Sequence, residues 1–229
     1  MFNFNIISPS ILLGLISYSL KYISHMESIM AVLVGKPAPD FTVPAVLANG
    51  EIVDSYNFAD AIKGKYALVF FYPLDFTFVC PSELIALDHR IPDFAARNVE
   101  VVGVSIDSHF THNAWRNTPV NEGGIGQVKY TLAADMKHEI AKAYDVESEG
   151  GVAFRGAFLI DTNGIVRSQI VNDLPLGRNM EELIRLFDAL QFNEEHGEVC
   201  PANWKKGDEG MTASPEGVAA YLAKNADSL

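Results

Sequence analysis

The chain has 229 residues and a hydrophobic content of 48%, so it can bury the core of one globular domain with extensions. Its formal net charge of −12, with no basic run, argues against nucleic acid or anionic membrane as a partner, because both are bound through clustered Lys and Arg. Two cysteines, without Cys-x-x-Cys or paired Cys/His spacing, exclude a disulfide-stapled secreted scaffold and a structural zinc site, and they favour a reducing, cytoplasmic location.

The first 29 residues are apolar but interrupted by polar residues and proline. Their cleanest apolar stretch, residues 11–16, is far below the roughly 18 residues that a membrane-spanning helix needs. The segment also lacks the charged start and the small-x-small cleavage site of a signal peptide. We interpret residues 1–29 as a dispensable leader or a mis-assigned start, with a membrane or targeting element as the alternative. We then expect a domain over residues 30–195 and a C-terminal arm over residues 196–229.

A buried strand and the helix that follows it are the clearest local predictions. Residues 66–72 are continuously apolar, aromatic or β-branched, which is typical of a strand buried on both faces. From residue 81 to about residue 98, apolar side chains recur at helical spacing, and Pro81 suits the first helical position. Pro92 lies inside this pattern, so we expect the helix to kink or split there. Cys80 is then predicted to occupy the N-cap.

The rest of the domain alternates strands and helices and ends with a hairpin and a helix. In chain order, the predicted elements are a strand over 100–107, a helix over 108–116 capped by Ser108, a strand over 130–133, a helix over 137–144, a hairpin of 153–161 and 165–172 closed by Thr162-Asn163-Gly164, and a helix over 180–192. This order predicts an α/β sandwich of three layers, with a mixed central sheet and helices on both faces.

Cys80 is the strongest candidate for a reactive residue. A sulfur at a helix N-terminus faces unpaired backbone N–H groups and the positive end of the helix dipole, and both favour the thiolate, which is the nucleophilic form. The second cysteine, Cys200, lies 120 residues downstream (200 − 80), too far for a local redox loop. A free cysteine can instead be a small buried hydrophobe, and the residues around Cys200 alone leave that alternative open.

The motif Pro73-x-x-x-Thr77-x-x-Cys80 resembles the active-site signature of peroxiredoxins, and the surrounding sequence is similar to their typical two-cysteine branch. The similarity extends from about Lys36 to Trp204. It includes Ser105-Ile106-Asp107-Ser108-His109-Phe110, Phe154-Arg155-Gly156, Val171-Asn172-Asp173-Leu174-Pro175 and His196-Gly197-Glu198-Val199-Cys200-Pro201. The resemblance implies a thioredoxin-like fold, which agrees with the order of elements predicted above.

The resemblance also implies a role for each site residue. Cys80 would be the peroxidatic cysteine, and Cys200 the resolving cysteine donated from the arm of a second subunit. The other implied site residues are Pro73, Thr77 and Arg155, which complete the peroxide pocket, and Glu83 and Arg178, which support the active-site arginine. The implied protein is a thiol peroxidase for hydrogen peroxide and organic hydroperoxides. It has no metal, haem or flavin, is recycled by thioredoxin or an equivalent dithiol, and assembles from homodimers into a decamer.

The residue types fit this chemistry. Attack of a thiolate on a peroxide builds negative charge on the departing oxygen, so donors aimed at the peroxide lower the barrier. The fixed charge of Arg155 stabilises the thiolate, and its fork of N–H groups can hold peroxide oxygens. The hydroxyl of Thr77 can donate and accept, and Pro73 shapes a dry pocket.

Two further motifs have structural interpretations. His109-x-x-His112 lacks a third ligand at useful spacing, so we expect solvated or capping histidines and no metal. The run Gly123-Gly124-Ile125-Gly126 lacks the Lys-Ser/Thr ending of a phosphate loop and is interpreted as a tight loop. It resembles the Gly-Gly-Leu-Gly motif of peroxide-sensitive peroxiredoxins. The Tyr-Phe that accompanies this motif is Tyr221-Leu222 here, which predicts intermediate or low susceptibility of Cys80 to over-oxidation.

Two other functions stay open beside the peroxidase. One is a holdase chaperone that acts through redox-controlled assembly. The other is a disulfide oxidoreductase, which the missing Cys-x-x-Cys disfavours.

Overall fold

A mixed sheet of seven strands organises residues 32–229, the part of the chain that this computed structural model describes. The interpretation of residues 1–29 lies outside the described residues. The strands lie in the order β2-β1-β5-β4-β3-β6-β7, with β3, β4 and β5 parallel and the other pairs antiparallel. They are β1 (Thr42–Val46), β2 (Ile52–Asn57), β3 (Tyr66–Phe71), β4 (Val99–Ser105), β5 (Thr131–Ala134), β6 (Arg155–Ile160) and β7 (Val166–Asn172).

Helices cover both faces of this sheet. They are α1 (Phe58–Ala61), α2 (Cys80–His89), α3 (Ile91–Ala95), α4 (His109–Asn117), α5 (Glu139–Ala143), α6 (Met180–His196) and α7 (Pro215–Asn225), with 3₁₀ turns at Val120–Glu122 and Ala226–Ser228. None of the helices among residues 32–229 is long and apolar enough to cross a membrane.

Strand β3 divides the core into two clusters because successive side chains of a strand point to opposite faces. Val69 and Phe71 pack in one cluster with residues of α1 and α5. Leu68 and Phe70 pack in the other with residues of α2, α3 and α6. The predicted three-layer sandwich with a mixed sheet is therefore confirmed.

The predicted break near Pro92 is also confirmed. Helix α2 ends at His89, Arg90 separates the two helices, and Pro92 is the second residue of α3, where its missing N–H costs nothing. The N-cap prediction is wrong by one residue. Val79 is the cap, because its carbonyl accepts the first helical hydrogen bond from Glu83 N (3.2 Å), and Cys80 is the first helical residue.

The predicted hairpin forms between β6 and β7, which are antiparallel. One oxygen of Asp161 accepts hydrogen bonds from Asn163 N (2.9 Å) and Ile165 N (3.0 Å) and so closes the turn. Gly164 has a φ of 78°, a conformation that favours glycine.

Several elements of the fold were not predicted from the sequence, or were predicted with different ends. Strands β1 and β2 are short and partly exposed, and α1 has four residues, too few for a helical period to be read. Helix α5 is shorter than the predicted 137–144 because His138 and Asp145, at its two ends, both have positive φ. Helix α6 extends beyond residue 192 to His196, and α7 was not predicted.

The arm after α6 folds back on that helix. The ring of Trp204 lies 4.9 Å from the ring of Phe192, and Trp204 O accepts a hydrogen bond from Arg185 (3.0 Å). Val199 and Met211 pair through their backbones (2.9 Å in both directions) and close the segment that carries Cys200 into a loop.

Candidate active site

Cys80 lies at the first position of α2, just beyond the loop of residues 73–79 that follows β3. Its side chain is buried (1% exposed) among the apolar residues beneath α2. No side chain caps the N-terminus of α2. The unpaired N–H groups and the positive end of the helix dipole are therefore directed toward the sulfur, as the sequence predicts.

Arg155 meets this sulfur from the neighbouring strand. Strand β6 runs antiparallel to β3 with Ala157 opposite Phe70, which places Arg155 beside the end of β3. Its Nη1 donates to Cys80 Sγ at 3.5 Å, and its Nε donates to Leu174 O at 2.6 Å. The structure thus joins two residues that are 75 positions apart in the chain.

Glu83 joins Arg155 to a second buried arginine. Its Oε2 accepts hydrogen bonds from Arg155 Nη1 (2.7 Å) and Arg178 Nη2 (3.0 Å). Its Oε1 accepts from the Nε (2.9 Å) and the backbone N–H (2.8 Å) of Arg178. Arg178 also donates to Gly156 O (2.5 Å), and its guanidinium lies 3.3 Å over the ring of Phe70. This network leaves Arg155 little freedom to turn away from the sulfur.

The sulfur of Cys80 lies beside a cluster of buried charges. Burial opposes ionisation of Glu83, but the hydrogen bonds and charges of Arg178 and Arg155 outweigh burial and hold the pKa of Glu83 below its ordinary value. Burial lowers the pKa of Arg178, and Glu83 opposes that shift. Two guanidinium groups and one carboxylate leave one net positive charge, which a thiolate on Cys80 would neutralise.

Thr77 and Pro73 lie in the loop that leads from β3 to Cys80. Pro73 is buried and Thr77 is partly buried. The hydroxyl of Thr77 donates to Leu74 O (2.7 Å) rather than to Cys80. Its proton is therefore committed, and its oxygen is left as an acceptor.

The side chains that fix the conformation of this loop were not predicted from the sequence. The carboxylate of Asp75 is completely buried, accepts from Tyr72 O–H (2.9 Å) and lies 2.8 Å from His112 Nδ1. Its backbone N–H donates to Asp107 (2.9 Å). Burial raises the pKa of Asp75, and His112 opposes the rise. An acidic residue within an aromatic run was the one signal available, and it does not identify the partners.

The predicted solvated or capping role of His109 and His112 is wrong. Both are buried, at 6% and 0% exposed, because α4 turns them toward the core instead of solvent. Among residues 32–229, no group of three or more His, Cys, Asp and Glu side chains is arranged to hold a metal ion.

Cys200 lies apart from this cluster. Its S–H donates to Ala189 O of α6 at 3.4 Å, and its burial raises the pKa of the thiol against the charge of Arg185. It lines a cavity of about 240 Å³ together with residues of β6, β7 and α6. One of these, Leu159, is four residues beyond Arg155 on β6, which corresponds to roughly 13 Å along the strand. Both cysteines are free thiols.

The glycine run at residues 123–126 forms the predicted tight loop. Gly123 and Gly126 have positive φ, and a side chain at Gly124 would overlap the carbonyl of Thr118. Leu222 is exposed on α7. The expected susceptibility to over-oxidation stays a prediction.

Comparisons with known proteins agree with this geometry. The model of the AhpC/TSA family matches residues 34–169, and that of the C-terminal domain of 1-Cys peroxiredoxin matches residues 189–224. The alkyl hydroperoxide reductase C of Helicobacter pylori is 53% identical over 86% of this chain and 100% of its own length. Peroxiredoxin-1 of Gallus gallus is 49% identical over 84% of this chain and 96% of its own length.

Solved structures give the same result. The reduced 2-Cys peroxiredoxin of Plasmodium vivax matches with a TM-score of 0.81 at 49% identity, covering 84% of this chain and 99% of the other. AhpC of Enterococcus faecalis matches with a TM-score of 0.68 at 37% identity, covering 74% of this chain and 99% of the other.

Proposed function

Because the chain belongs to the AhpC/TSA family of peroxiredoxins and is a peroxidase of the oxidoreductase class, we propose that Cys80 is its peroxidatic cysteine and Cys200 its resolving cysteine. The observation that carries this proposal is the buried contact of 3.5 Å between Arg155 Nη1 and Cys80 Sγ at the N-terminus of α2. The substrates are hydrogen peroxide and organic hydroperoxides.

The first step is attack of the Cys80 thiolate on one peroxide oxygen. An S–O bond forms and the O–O bond breaks, so Cys80 becomes a sulfenic acid and the second oxygen leaves with its electron pair. Protonation of that oxygen gives water or an alcohol. Nη2 of Arg155 makes no hydrogen bond to a residue among 32–229, which leaves its two N–H groups for the developing charge.

Thr77 supplies the complementary contact. Since its own proton is held by Leu74 O, its oxygen can accept the O–H of the bound peroxide and orient the attacked oxygen toward the sulfur. The burial of Pro73 keeps the pocket closed to water from the β3 side.

The second step is condensation of the Cys80 sulfenic acid with Cys200. An S–S bond forms and the sulfenic oxygen leaves as water. Within one chain the two thiols occupy separate positions along β6, so at least one of them must move. We propose that the first turn of α2 unwinds, that the arm loosens, and that Cys200 comes from a second subunit.

The edge strand β7 supports an intersubunit disulfide. It ends the sheet, and Arg167 and Ser168 of β7 line the cavity that holds Cys200. The backbone of Val166, at the start of β7, pairs with residues 35 and 36, but no strand among residues 32–229 pairs with the outer edge beyond it. Such an edge is a template for adding a strand from another chain. Pairing of β7 with its copy in a second subunit would place each arm next to the partner, as the homodimer requires.

A larger assembly is proposed on the exposed aromatic surface beside the active site. Phe76 is 51% exposed and Phe78 95% in the active-site loop, and Phe110 is 67% exposed on α4, the helix whose Trp115 contacts Phe76. Exposed apolar side chains of this size favour association. We propose a decamer of five dimers built through this surface. A dithiol such as thioredoxin then reduces the disulfide and restores both thiols, which is consistent with a reducing compartment such as the cytoplasm.

The holdase alternative lacks comparable support. The relatives reported above are named for alkyl hydroperoxide reduction or as peroxiredoxins, and the contacts around Cys80 serve peroxide chemistry. We therefore propose the peroxidase, and not the holdase, as the function of this protein.

Peroxide consumption coupled to thioredoxin and its reductase tests the proposal. We expect Cys80→Ser to lose turnover. We expect Cys200→Ser to consume about one equivalent per subunit and then stop, because its sulfenic acid has no partner, until a small thiol is added. On a non-reducing gel, the oxidised wild type should run as a covalent dimer.

Each alternative has its own outcome in this assay. Sustained turnover by Cys80→Ser would remove the proposed nucleophile. An oxidised wild type that runs as a disulfide-containing monomer would place resolution within one subunit. Reduction of insulin without peroxide would favour a disulfide oxidoreductase.

A further inference from the structure

The backbone of Phe76, in the active-site loop of residues 73–79, has a φ of 53°. In this left-handed region the Cβ of an L-residue crowds the following carbonyl, and a bulky side chain makes it a genuine outlier. Among residues 32–229, the other non-glycine residues with positive φ are Asn98, His138, Asp145 and Asn203. Asparagine, aspartate and histidine adopt a positive φ more readily than other non-glycine residues. Among these five residues, Phe76 is therefore the one whose side chain makes the left-handed backbone strained.

The residues on both sides of Phe76 explain how the strain persists. The backbone N–H of Asp75 is bound to Asp107, and the buried carboxylate of Asp75 fixes it further. On the other side, the hydroxyl of Thr77 is bound to Leu74 O across the turn. With both neighbours held in place, the chain can close only if Phe76 takes the left-handed conformation.

The side chain of Phe76 offsets this strain only in part. Its ring lies 5.7 Å from the ring of Trp115, but half of the side chain (51%) is exposed. The next aromatic residue, Phe78, is 95% exposed, and no side chain caps the helix that follows. The segment that must release Cys80 is therefore strained at Phe76, exposed at Phe78 and without a capping side chain where the helix begins.

We propose that Phe76 is a positioning residue whose backbone strain sets the equilibrium between the closed loop, in which Cys80 meets Arg155, and an open loop, in which Cys80 reaches Cys200. The strain exists only in the closed loop, because a released Phe76 returns to an ordinary negative φ. It therefore increases the population of the open loop and speeds disulfide formation. This inference rests on the proposed function, since only resolution requires Cys80 to leave its pocket.

Three substitutions of Phe76 separate backbone strain from loss of the ring. Phe76→Ala, Phe76→Asn and Phe76→Gly all lose the contact with Trp115, but they differ in their tolerance of a positive φ. After one equivalent of hydrogen peroxide, we expect the disulfide to form fastest in Phe76→Ala, more slowly in Phe76→Asn, and about fivefold to thirtyfold more slowly in Phe76→Gly than in Phe76→Ala. Alkylation quenching followed by a non-reducing gel measures these rates.

Asn98 provides the matched control. Its φ of 56° is nearly the same, and it lies just before β4, outside the active-site loop. Asn98→Ala and Asn98→Gly both lose the side-chain hydrogen bond to Gly64 O. The two variants therefore differ only in how well residue 98 tolerates a positive φ. We expect different urea midpoints within this pair and equal rates of disulfide formation.

Equal rates in Phe76→Ala and Phe76→Gly would overturn the inference, as would a rate difference of the same size at Asn98. Should one Phe76 variant fail to fold, the order of the remaining two decides. Amide exchange of Glu83, whose N–H donates to Val79 O, gives a readout in the reduced protein that needs no peroxide activity. We expect this amide to exchange about fivefold to thirtyfold more slowly in Phe76→Gly than in Phe76→Ala. Because exchange does not depend on peroxide turnover, this test still applies if the proposed function fails.

Discussion

At the residue scale, the site depends on one carboxylate that serves two buried guanidinium groups. Glu83 is 3% exposed; its Oε1 accepts two hydrogen bonds from Arg178, and its Oε2 accepts one from Arg155 and one from Arg178. Arg155 is thereby held against Cys80 Sγ, and the cluster has one net positive charge beside that sulfur. Glu83 makes no hydrogen bond to the sulfur, so the role that we propose for it is to position Arg155.

We expect Glu83→Gln to lower the free energy of unfolding by about 3–5 kcal/mol at neutral pH, because it leaves two buried guanidinium groups without a carboxylate. The pKa of Glu83 is depressed in the folded protein, whereas an unfolded Glu titrates near about 4.3. The stabilisation is therefore complete above about pH 5 and is lost as the pH falls through the folded pKa. Urea unfolding of the reduced protein across this range should show the difference from wild type narrowing in acid.

Glu182→Gln is the control for this pH series. Glu182 also has a pKa lowered by a neighbouring arginine, Arg185, but its side chain is 41% exposed. Its pair with Arg185 should contribute less than about 1 kcal/mol. A loss for Glu83→Gln no larger than for Glu182→Gln would contradict the positioning role.

At the element scale, formation of the proposed disulfide between Cys80 and Cys200 requires movement of two segments. They are the first turn of α2 and the C-terminal arm. The N-terminus of α2 has no side-chain cap, and its first turn is held through Glu83 and through the contact of Cys80 with Arg155. The arm is held by different contacts. Trp204 is buried (3% exposed) against Phe192, and Arg185 binds its carbonyl oxygen. Release of Cys200 from its position beneath Ala189 therefore depends on the contacts of Trp204.

We expect Trp204→Ala to loosen the arm while the sheet and the Cys80 cluster stay folded. Loss of a buried aromatic side chain costs about 3–5 kcal/mol where the cavity cannot collapse, and here the cost falls on the arm. Cleavage by a protease after residue 196 should become faster, and amide protection at Val199 and Met211 should fall.

The matched change is Tyr221→Ala on α7, a helix with no buried residue. It removes an aromatic ring from the same arm without touching Phe192, so we expect wild-type protection at residues 197–211. Equal protease resistance of Trp204→Ala and wild type would mean that other contacts hold the arm.

At the scale of the whole molecule, β7 is the surface on which the proposed dimer depends. It is the last strand of the sheet, next to β6, and it carries Val171, an apolar side chain that is 43% exposed. Antiparallel pairing of β7 with its copy would extend the sheet across two subunits and place Val171 within the new strand pair. The arms that carry Cys200 lie beside the same edge.

We expect Val171→Asp to weaken the dimer at least about 100-fold, because it places a charge where the new strand pair would cover an apolar side chain. Analytical ultracentrifugation of the reduced protein measures the change. The variant should still consume its first equivalent of peroxide, since Cys80 and Arg155 are untouched, but it should form little disulfide-linked dimer.

Val218→Asp on α7 introduces the same charge at a similarly exposed apolar position, 37% against 43%. It should leave the sedimentation of the dimer unchanged. If Val171→Asp instead sediments as the wild type does, β7 is not the dimer edge.

The sequence by itself determined the features that depend on local patterns. Strand β3 is a continuous apolar run, α2 and α3 are separated near Pro92, and the β6–β7 turn follows from Asn163-Gly164, since each depends on neighbours in the chain. The position of Cys80 at the start of a helix is of the same kind. The motif similarity then named residues that no local pattern could connect.

Only the tertiary structure decided how those residues meet. The contacts of Arg155 with Cys80, of Glu83 with Arg178 and of Asp75 with His112 join distant segments, and their geometry follows from which strands are adjacent in the sheet. The burial of His112 and the left-handed backbone of Phe76 arise in the same way. A residue adopts a strained or buried conformation when contacts with distant segments of the chain fix its neighbours. The spacing of residues in the sequence does not show which distant segments are in contact.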